Sequence, residues 1–325
     1  MLGEYLALQG GPSLLINTPK AFVLSIASTG EASFFKRISS KKTHPAFLLL
    51  EEYRKSLSAN KAVVFKKFLK NCYFKDPYKA SGGFGCSGAE FLSAYIITNL
   101  HKMLCKEKEI TKTQCTKIWN NFLSVEKKEF TAFHKFKEFT NWGSGFDILS
   151  QLLGSIASIQ VVDNTKNFCV TYKNFSWPFL KYNFAILKSQ NKINTHEHLS
   201  QLSAEKLNIL VKKLKPIVEK GISSIQASSI DDFLSAVHLQ QSLLEQEGFV
   251  CSSSINKIKA FGKIKEILAS KSCGALGADT FLIVYAKGNE NLVKEKIKIS
   301  QNLSSLLWVT EDCLYDGVNL EINNS

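Results

Sequence analysis

No hydrophobic run in this sequence is long enough to cross a bilayer as a helix, so a membrane-spanning protein is not expected. No pair of cysteines stands in C-x-x-C spacing. The eight cysteines (Cys72, Cys86, Cys105, Cys115, Cys169, Cys251, Cys273 and Cys313) are scattered, which predicts reduced, buried thiols and neither zinc nor disulfide frameworks. Acidic residues are scarce: 28 Asp and Glu face 41 Lys and Arg, leaving a formal charge of +13. Nearly all the cations are lysines, spread along the chain and not alternating with aromatics. That pattern reads as solvated helix faces and argues against a nucleic-acid surface, although a basic field would attract a polyanionic substrate. The first residues lack a basic segment followed by an apolar one, so no signal peptide is expected and the protein reads as cytoplasmic. There is no G-x-x-x-x-G-K-[ST], hence no Walker loop.

What is present fits one large or two medium domains: 325 residues, 45% of them hydrophobic. Apolar runs split by Gly10-Gly11-Pro12 and Thr18-Pro19 predict strands between Glu4 and Ile38, beginning with Tyr5-Leu6-Ala7-Leu8. Helices are predicted from Pro45 to Leu57, Cys86 to Lys106, Thr111 to Phe139 and Phe146 to Leu153. The second carries Leu92, Ile96, Leu100 and Leu104 in one stripe. Strands follow from Ile156 to Val162 and Phe168 to Tyr172. A composition change at Trp177-Pro178 sets the expected domains at 1–176 and 177–325. The second half predicts a strand from Phe184 to Lys188 and helices from Ser203 to Lys220, Ile230 to Glu247 and Ile255 to Ser270. Then come a strand from Thr280 to Tyr285, a helix from Asn289 to Gln301 and a strand from Leu306 to Thr310. Strands then helices, twice, is an α+β, two-domain organisation.

Three glycine loops hold the candidate chemistry. Gly82-Gly83-Phe84-Gly85-Cys86-Ser87-Gly88 runs straight into a helix, where backbone N–H groups and a positive dipole end favour phosphate. Ser87 falls in the first turn, where a hydroxyl could meet a phosphate oxygen or Mg²⁺. Taken alone, the loop is equally a turn that lets a helix pack closely. Gly143-Ser144-Gly145-Phe146-Asp147 sets a carboxylate after a tight turn. Asp147 could take a proton from an attacking hydroxyl, and alone it reads as a helix N-cap. Cys273-Gly274-Ala275-Leu276-Gly277-Ala278-Asp279 precedes a buried strand and alone is a plain turn. Lys79, Lys188, Lys192 and Lys271 flank these segments as point charges for an anion. His196 and His198 share one face of a possible strand but have too few neighbouring ligands for a metal, and Trp142 reads as a core aromatic or a substrate wall.

In this order, the loops resemble the signature motifs of the GHMP kinase superfamily. Gly83 to Ala89 is similar to its G-L-G-S-S-[AG]-[AS] phosphate loop, and Gly274 to Asp279 to its G-A-G-G-G-D loop. Gly3-Glu4-Tyr5-Leu6-Ala7-Leu8-Gln9-Gly10-Gly11 resembles its G-E-Y-x-V-L-x-G-G segment. The G-S-G-x-D at Gly143 to Asp147 most resembles the phosphomevalonate kinase branch. The sequence departs from the family at Cys86, Leu276 and Ala278, and does not contain the A-P-G-K that precedes G-E-Y.

The resemblance implies an N-terminal domain like the second domain of ribosomal protein S5 and a ferredoxin-like α/β-plait C-terminal domain, with ATP and acceptor meeting between them. It implies transfer of the ATP γ-phosphate to phosphomevalonate with Mg²⁺, in a monomer or homodimer that binds a small molecule and neither membrane nor nucleic acid. Mevalonate, another small alcohol, or a non-catalytic nucleotide-binding role are the alternatives. Asp147 and Lys79 would be catalytic. Gly82, Gly83, Gly85, Cys86, Ser87 and Gly88 would hold the nucleotide, with Ser87 also on the metal. Ser144, Gly145, Gly274, Ala275 and Lys188 would serve the acceptor.

Overall fold

The computed structural model describes residues 2–26, 33–79, 84–105, 112–140, 143–164, 167–189, 203–313 and 316–319. The chain forms two compact units, each discontinuous in sequence. One comprises Met1–Pro19, Ser81–Phe84 and Gly154–Tyr315; the other comprises Lys20–Ala80, Gly85–Leu153 and Asp316–Ser325.

The first unit contains two antiparallel sheets. β1 (Ser13–Ile16), β4 (Ile156–Asn164) and β5 (Asn167–Phe175) lie in the order β1-β4-β5, with Ser13 opposite Ile159. The four-stranded sheet has the order β7-β8-β6-β9, from β6 (Tyr182–Lys188), β7 (Ile267–Cys273), β8 (Thr280–Ala286) and β9 (Leu307–Thr310). β8 is an unbroken apolar run because both of its faces are buried. Leu282 and Val284 join a core with Leu210, Leu214 and Val218 of α8 (Ala204–Ala227) and Phe233 and Val237 of α9 (Ile230–Gln246). Phe281, Ile283 and Tyr285 join a second core with Phe261 of α10 (Ser252–Phe261) and Val293 and Ile297 of α11 (Glu290–Ile299).

The second unit is mostly helical around a two-stranded antiparallel ribbon, β2 (Val23–Ile26) with β3 (Cys72–Lys75). Its helices are α1 (Phe34–Ser39), α2 (Pro45–Lys55), α3 (Ala59–Lys70), α4 (Cys86–Leu104), α5 (Lys112–Glu129), α6 (Thr131–Phe139) and α7 (Phe146–Leu153). α4 is the central one. From Gly88 to Thr98 nearly every residue is buried, as expected of a helix surrounded on all sides.

The helices at 45, 86 and 146, and most strands after 156, fall within a few residues of expectation. Several readings are corrected, and Phe34–Ser39, inside the stretch expected to form strands, is the helix α1. Tyr5 to Leu8 is not a strand: Ala7–Gln9 is a 3-10 turn, closed by Gly10 at φ +72° against the Val161 carbonyl. α3 lay in an unassigned stretch. The helix expected from Thr111 to Phe139 is two, parted at Phe130 with φ +50°. The helix expected from Ile255 to Ser270 ends at Phe261; Gly262 follows, and Ile267–Cys273 pairs with β8 instead. Cross-strand pairing there overrides the helical spacing of the lysine-rich sequence.

Among the described residues, no helix is long and apolar enough to cross a membrane. Because Leu282 is fully buried in a two-sided strand, Leu282→Ala should cost about 3 kcal/mol. Urea denaturation should show this as a lower midpoint with an unchanged slope.

Candidate active site

The site is built on the N-terminus of α4. Its N-cap, Gly85, takes φ +72°, a left-handed conformation that costs glycine little. The Gly85 carbonyl accepts a hydrogen bond from Gln151 Nε2 at 2.9 Å. Three residues on, the Gly88 N–H donates to Asp147 Oδ2 at 3.1 Å. A Cβ at Gly88 would overlap the Asp147 carboxylate, so glycine there lets that carboxylate approach the helix end. Asp147 is the second residue of α7, not its N-cap, so its carboxylate stands in the first turn of that helix, where the Ile148 N–H donates to the Gly145 carbonyl at 3.0 Å. Two positive helix ends therefore meet at one carboxylate. Burial pushes the Asp147 carboxyl above its ordinary value, over the opposing pull of nearby backbone N–H groups such as that of Gly88.

The loop before α7 is held from several sides. Gly145 stands at φ +74° against the Phe133 ring, 2.8 Å from where a Cβ would lie. Phe146 N–H reaches Ser144 Oγ at 3.4 Å, and Lys137 Nζ donates to the Gly143 carbonyl at 2.9 Å.

A charged network lies beside α4. Glu90, 1% exposed, accepts from Arg37 Nε at 2.6 Å and from Lys41 Nζ at 2.8 Å, and His44 Nε2 lies 3.4 Å from it. Arg37 also pairs with Asp76 at 3.4 Å. Cys86 sits among these groups; burial, then the Glu90 and Asp76 charges, pushes its thiol up to about 12. Such a thiol is no nucleophile at neutral pH.

His44 Nε2 is 2.7 Å from Ser87 Oγ. Serine, histidine and glutamate together resemble a hydrolytic triad, but the tautomer rules one out. His44 caps α2, and its Nδ1 accepts the Ala46 N–H at 3.2 Å. A neutral ring accepting at Nδ1 carries its proton on Nε2, so Nε2–H donates to Ser87 and cannot act as its base. Burial, the largest influence, lowers the His44 pKa and favours this neutral ring.

Gly85, Cys86, Ser87, Gly88, Ser144, Gly145 and Asp147 thus fall in one unit. Lys79 is in that unit, on the turn after β3 at φ +52°; it is exposed, with no ion-pair partner among the described residues. Gly274, Ala275 and Lys188 belong to the other unit. There Gly274 (φ +89°) packs against the Asp279 carboxylate and Asp279 N–H bonds the Cys273 carbonyl at 3.1 Å, closing the third loop. Leu276 stands at φ +49°, where glycine would be at ease. Lys271 is fully buried, paired with Glu4. Gly82, Gly83, Trp142, Lys192, His196 and His198 lie outside the described residues. The network residues Arg37, Lys41, His44, Asp76 and Glu90 were not anticipated. Two signals pointed to some of them: Arg37 and Arg54 are the chain's two arginines, and His44 directly precedes Pro45, a favoured first helical residue.

Residues 83–88 also match the G-x-G-x-x-G spacing of dinucleotide sites. That reading requires a parallel βαβ unit, whereas β3 pairs antiparallel with β2.

No protein-family model and no curated protein matches the sequence. Solved structures do. L. major mevalonate kinase in complex with R-mevalonate is 12% identical, with 96% of this chain and 93% of that one aligned at a TM-score of 0.60. Streptococcus pneumoniae phosphomevalonate kinase with phosphomevalonate and AMPPNP is 12% identical over 96% of each chain, TM-score 0.60. The chain has the two-domain GHMP kinase fold. Lactococcus lactis galactokinase with galactose, 10% identical over 97% of this chain and 91% of its own, shares it at a TM-score of 0.56. At such identities the likeness is one of fold.

Because the folded state holds the Asp147 proton more tightly than the unfolded chain, stability is lost as pH rises from the ordinary aspartate range, about 3.9, through the raised value. Asp147→Asn keeps an acceptor for the Gly88 N–H and removes the buried charge. Thermal unfolding should find it more stable than wild type at pH 7, with the advantage fading below about pH 4.

Proposed function

We propose that this chain is an ATP-dependent small-molecule kinase. The observation that carries the reading is the Asp147 carboxylate at the N-terminus of α4, 3.1 Å from the Gly88 amide, in a chain of this fold. The α4 N–H groups of Cys86 and Ser87, which have no acceptor inside the helix, would receive the triphosphate together with the loop from Gly82 to Gly88. Asp147, its pKa raised by burial, would orient the acceptor hydroxyl and take its proton. Ser144 and Gly145 would face the acceptor, and Lys79 would offset phosphate charge. Lys79, Gly85, Cys86, Ser87, Gly88, Ser144, Gly145 and Asp147 lie in the unit of α4.

A magnesium ion is implied by the fold family. It takes few protein oxygens and leaves the rest to phosphate and water. The Asp147 carboxylate fits that demand; Glu90, already engaged by Arg37 and Lys41, does not. When bound, the ion would supply neutralisation of phosphate charge.

The acceptor we read as best supported is phosphomevalonate, on the G-S-G-x-D at Gly143 to Asp147, placing the reaction in isoprenoid synthesis. Mevalonate or another small alcohol is the alternative within the class. A non-catalytic nucleotide-binding relative is favoured by Leu276, whose side chain and left-handed backbone depart from a glycine-built loop.

An ATP-coupled screen against phosphomevalonate, mevalonate, galactose and homoserine tests the reading. Turnover is expected with phosphomevalonate, and Asp147→Ala should lower it about 100- to 10,000-fold with the circular dichroism spectrum unchanged. Near-wild-type turnover in that variant removes Asp147 from the chemistry. ATP binding without turnover on any acceptor supports the non-catalytic reading.

A further inference from the structure

Ser87 admits two roles at a phosphate site: its oxygen could ligate a cation, or its proton could bond a phosphate oxygen. The surroundings of its hydroxyl distinguish them. The Ser87 oxygen accepts the His44 Nε2–H at 2.7 Å. That proton is fixed on Nε2 because Nδ1 accepts the Ala46 N–H at 3.2 Å. His44 itself is held in place, as the N-cap of α2 with Pro45 behind it and the Glu90 carboxylate 3.4 Å from Nε2. A hydroxyl that accepts from an N–H keeps one proton to give, and an acceptor already polarised by a donor is a poorer ligand for a cation. Ser87 is exposed at the second position of α4, where anions are favoured.

We propose that His44 is a positioning residue: it occupies the Ser87 oxygen and thereby assigns the Ser87 hydroxyl as a hydrogen-bond donor to a phosphate oxygen of the nucleotide, not as a magnesium ligand. This rests on the kinase reading and adds to it a role for a histidine outside the glycine loop. The effect of His44 passes through Ser87; it does not itself touch the nucleotide.

The test is ATP binding by calorimetry, with Mg²⁺ and with EDTA. Ser87→Ala should weaken ATP about 10-fold or more under both conditions, as expected for losing a hydrogen bond to a charged group. His44→Ala removes the α2 cap as well, so the decisive variant is His44→Asn. Asparagine is a good N-cap, which preserves α2, but it is too short to reach Ser87. His44→Asn should keep its melting temperature and lose ATP affinity with and without Mg²⁺. The double variant with Ser87→Ala should lose no more than Ser87→Ala alone. In turnover, the loss should fall on KM for ATP more than on kcat. Nitrogen NMR of the His44 ring should show the Nε2–H tautomer.

A loss in Ser87→Ala confined to Mg²⁺ conditions would make Ser87 a metal ligand and overturn the assignment. Unchanged ATP affinity in His44→Asn, or an Nδ1–H tautomer, would overturn the role of His44 while leaving the kinase reading intact. A wild-type protein that binds no ATP in either condition would overturn both.

Discussion

Everything proposed for this chain depends on one hydrogen bond, from the Gly88 amide to the Asp147 carboxylate. It joins the positive ends of two helices, α4 and α7, through a single anion. The carboxylate does for α4 what an N-cap side chain does for most helices, yet it comes from 59 residues away in sequence. A side chain at residue 88 would displace the Asp147 carboxylate, and a left-handed Gly85 turns the chain into the helix. A carboxylate partly withdrawn from water costs stability, and the Gly88 amide offsets only part of that cost. The site therefore gives up some stability where its carboxylate sits, a compromise common where function and stability compete.

The network beside α4 works differently. Glu90 is buried, but two cations hold it and His44 lies close by. Such a cluster adds little net stability compared with apolar packing, while breaking it by removing one partner is costly. Its contribution is orientation: it fixes Arg37, Lys41 and His44 against the first turns of α4, and His44 in turn fixes Ser87. The Ser87 hydroxyl is thus ordered from outside the glycine loop, by a helix cap 43 residues earlier.

The sequence disclosed the loops more readily than what surrounds them. A glycine run entering an apolar helix has a local cause and can be read directly, as could α7, which begins and ends where expected. The buried faces of β8 were legible from its unbroken apolar run. The network was not, because Arg37, His44, Asp76 and Glu90 are spread over three helices and the turn after β3, and each alone looks like a solvated polar residue. Ile267 to Cys273 was misread for the same kind of reason: its partner strand decides its conformation, and that partner lies beyond a loop. The unit boundaries also have no local mark, since both units are assembled from separated stretches.

The pairing of Ser13 with Ile159 has a consequence for how the protein is made. β1 is synthesised before α1 to α7, and the strand it needs only after them. Until then β1 has only the local Leu2–Leu14 bridge, and its other edge is slow to satisfy and open to association with other chains. Nascent molecules are therefore at greatest risk between translation of the first strand and translation of the fourth, and a holdase or a slow, dilute expression regime would protect them most during that interval.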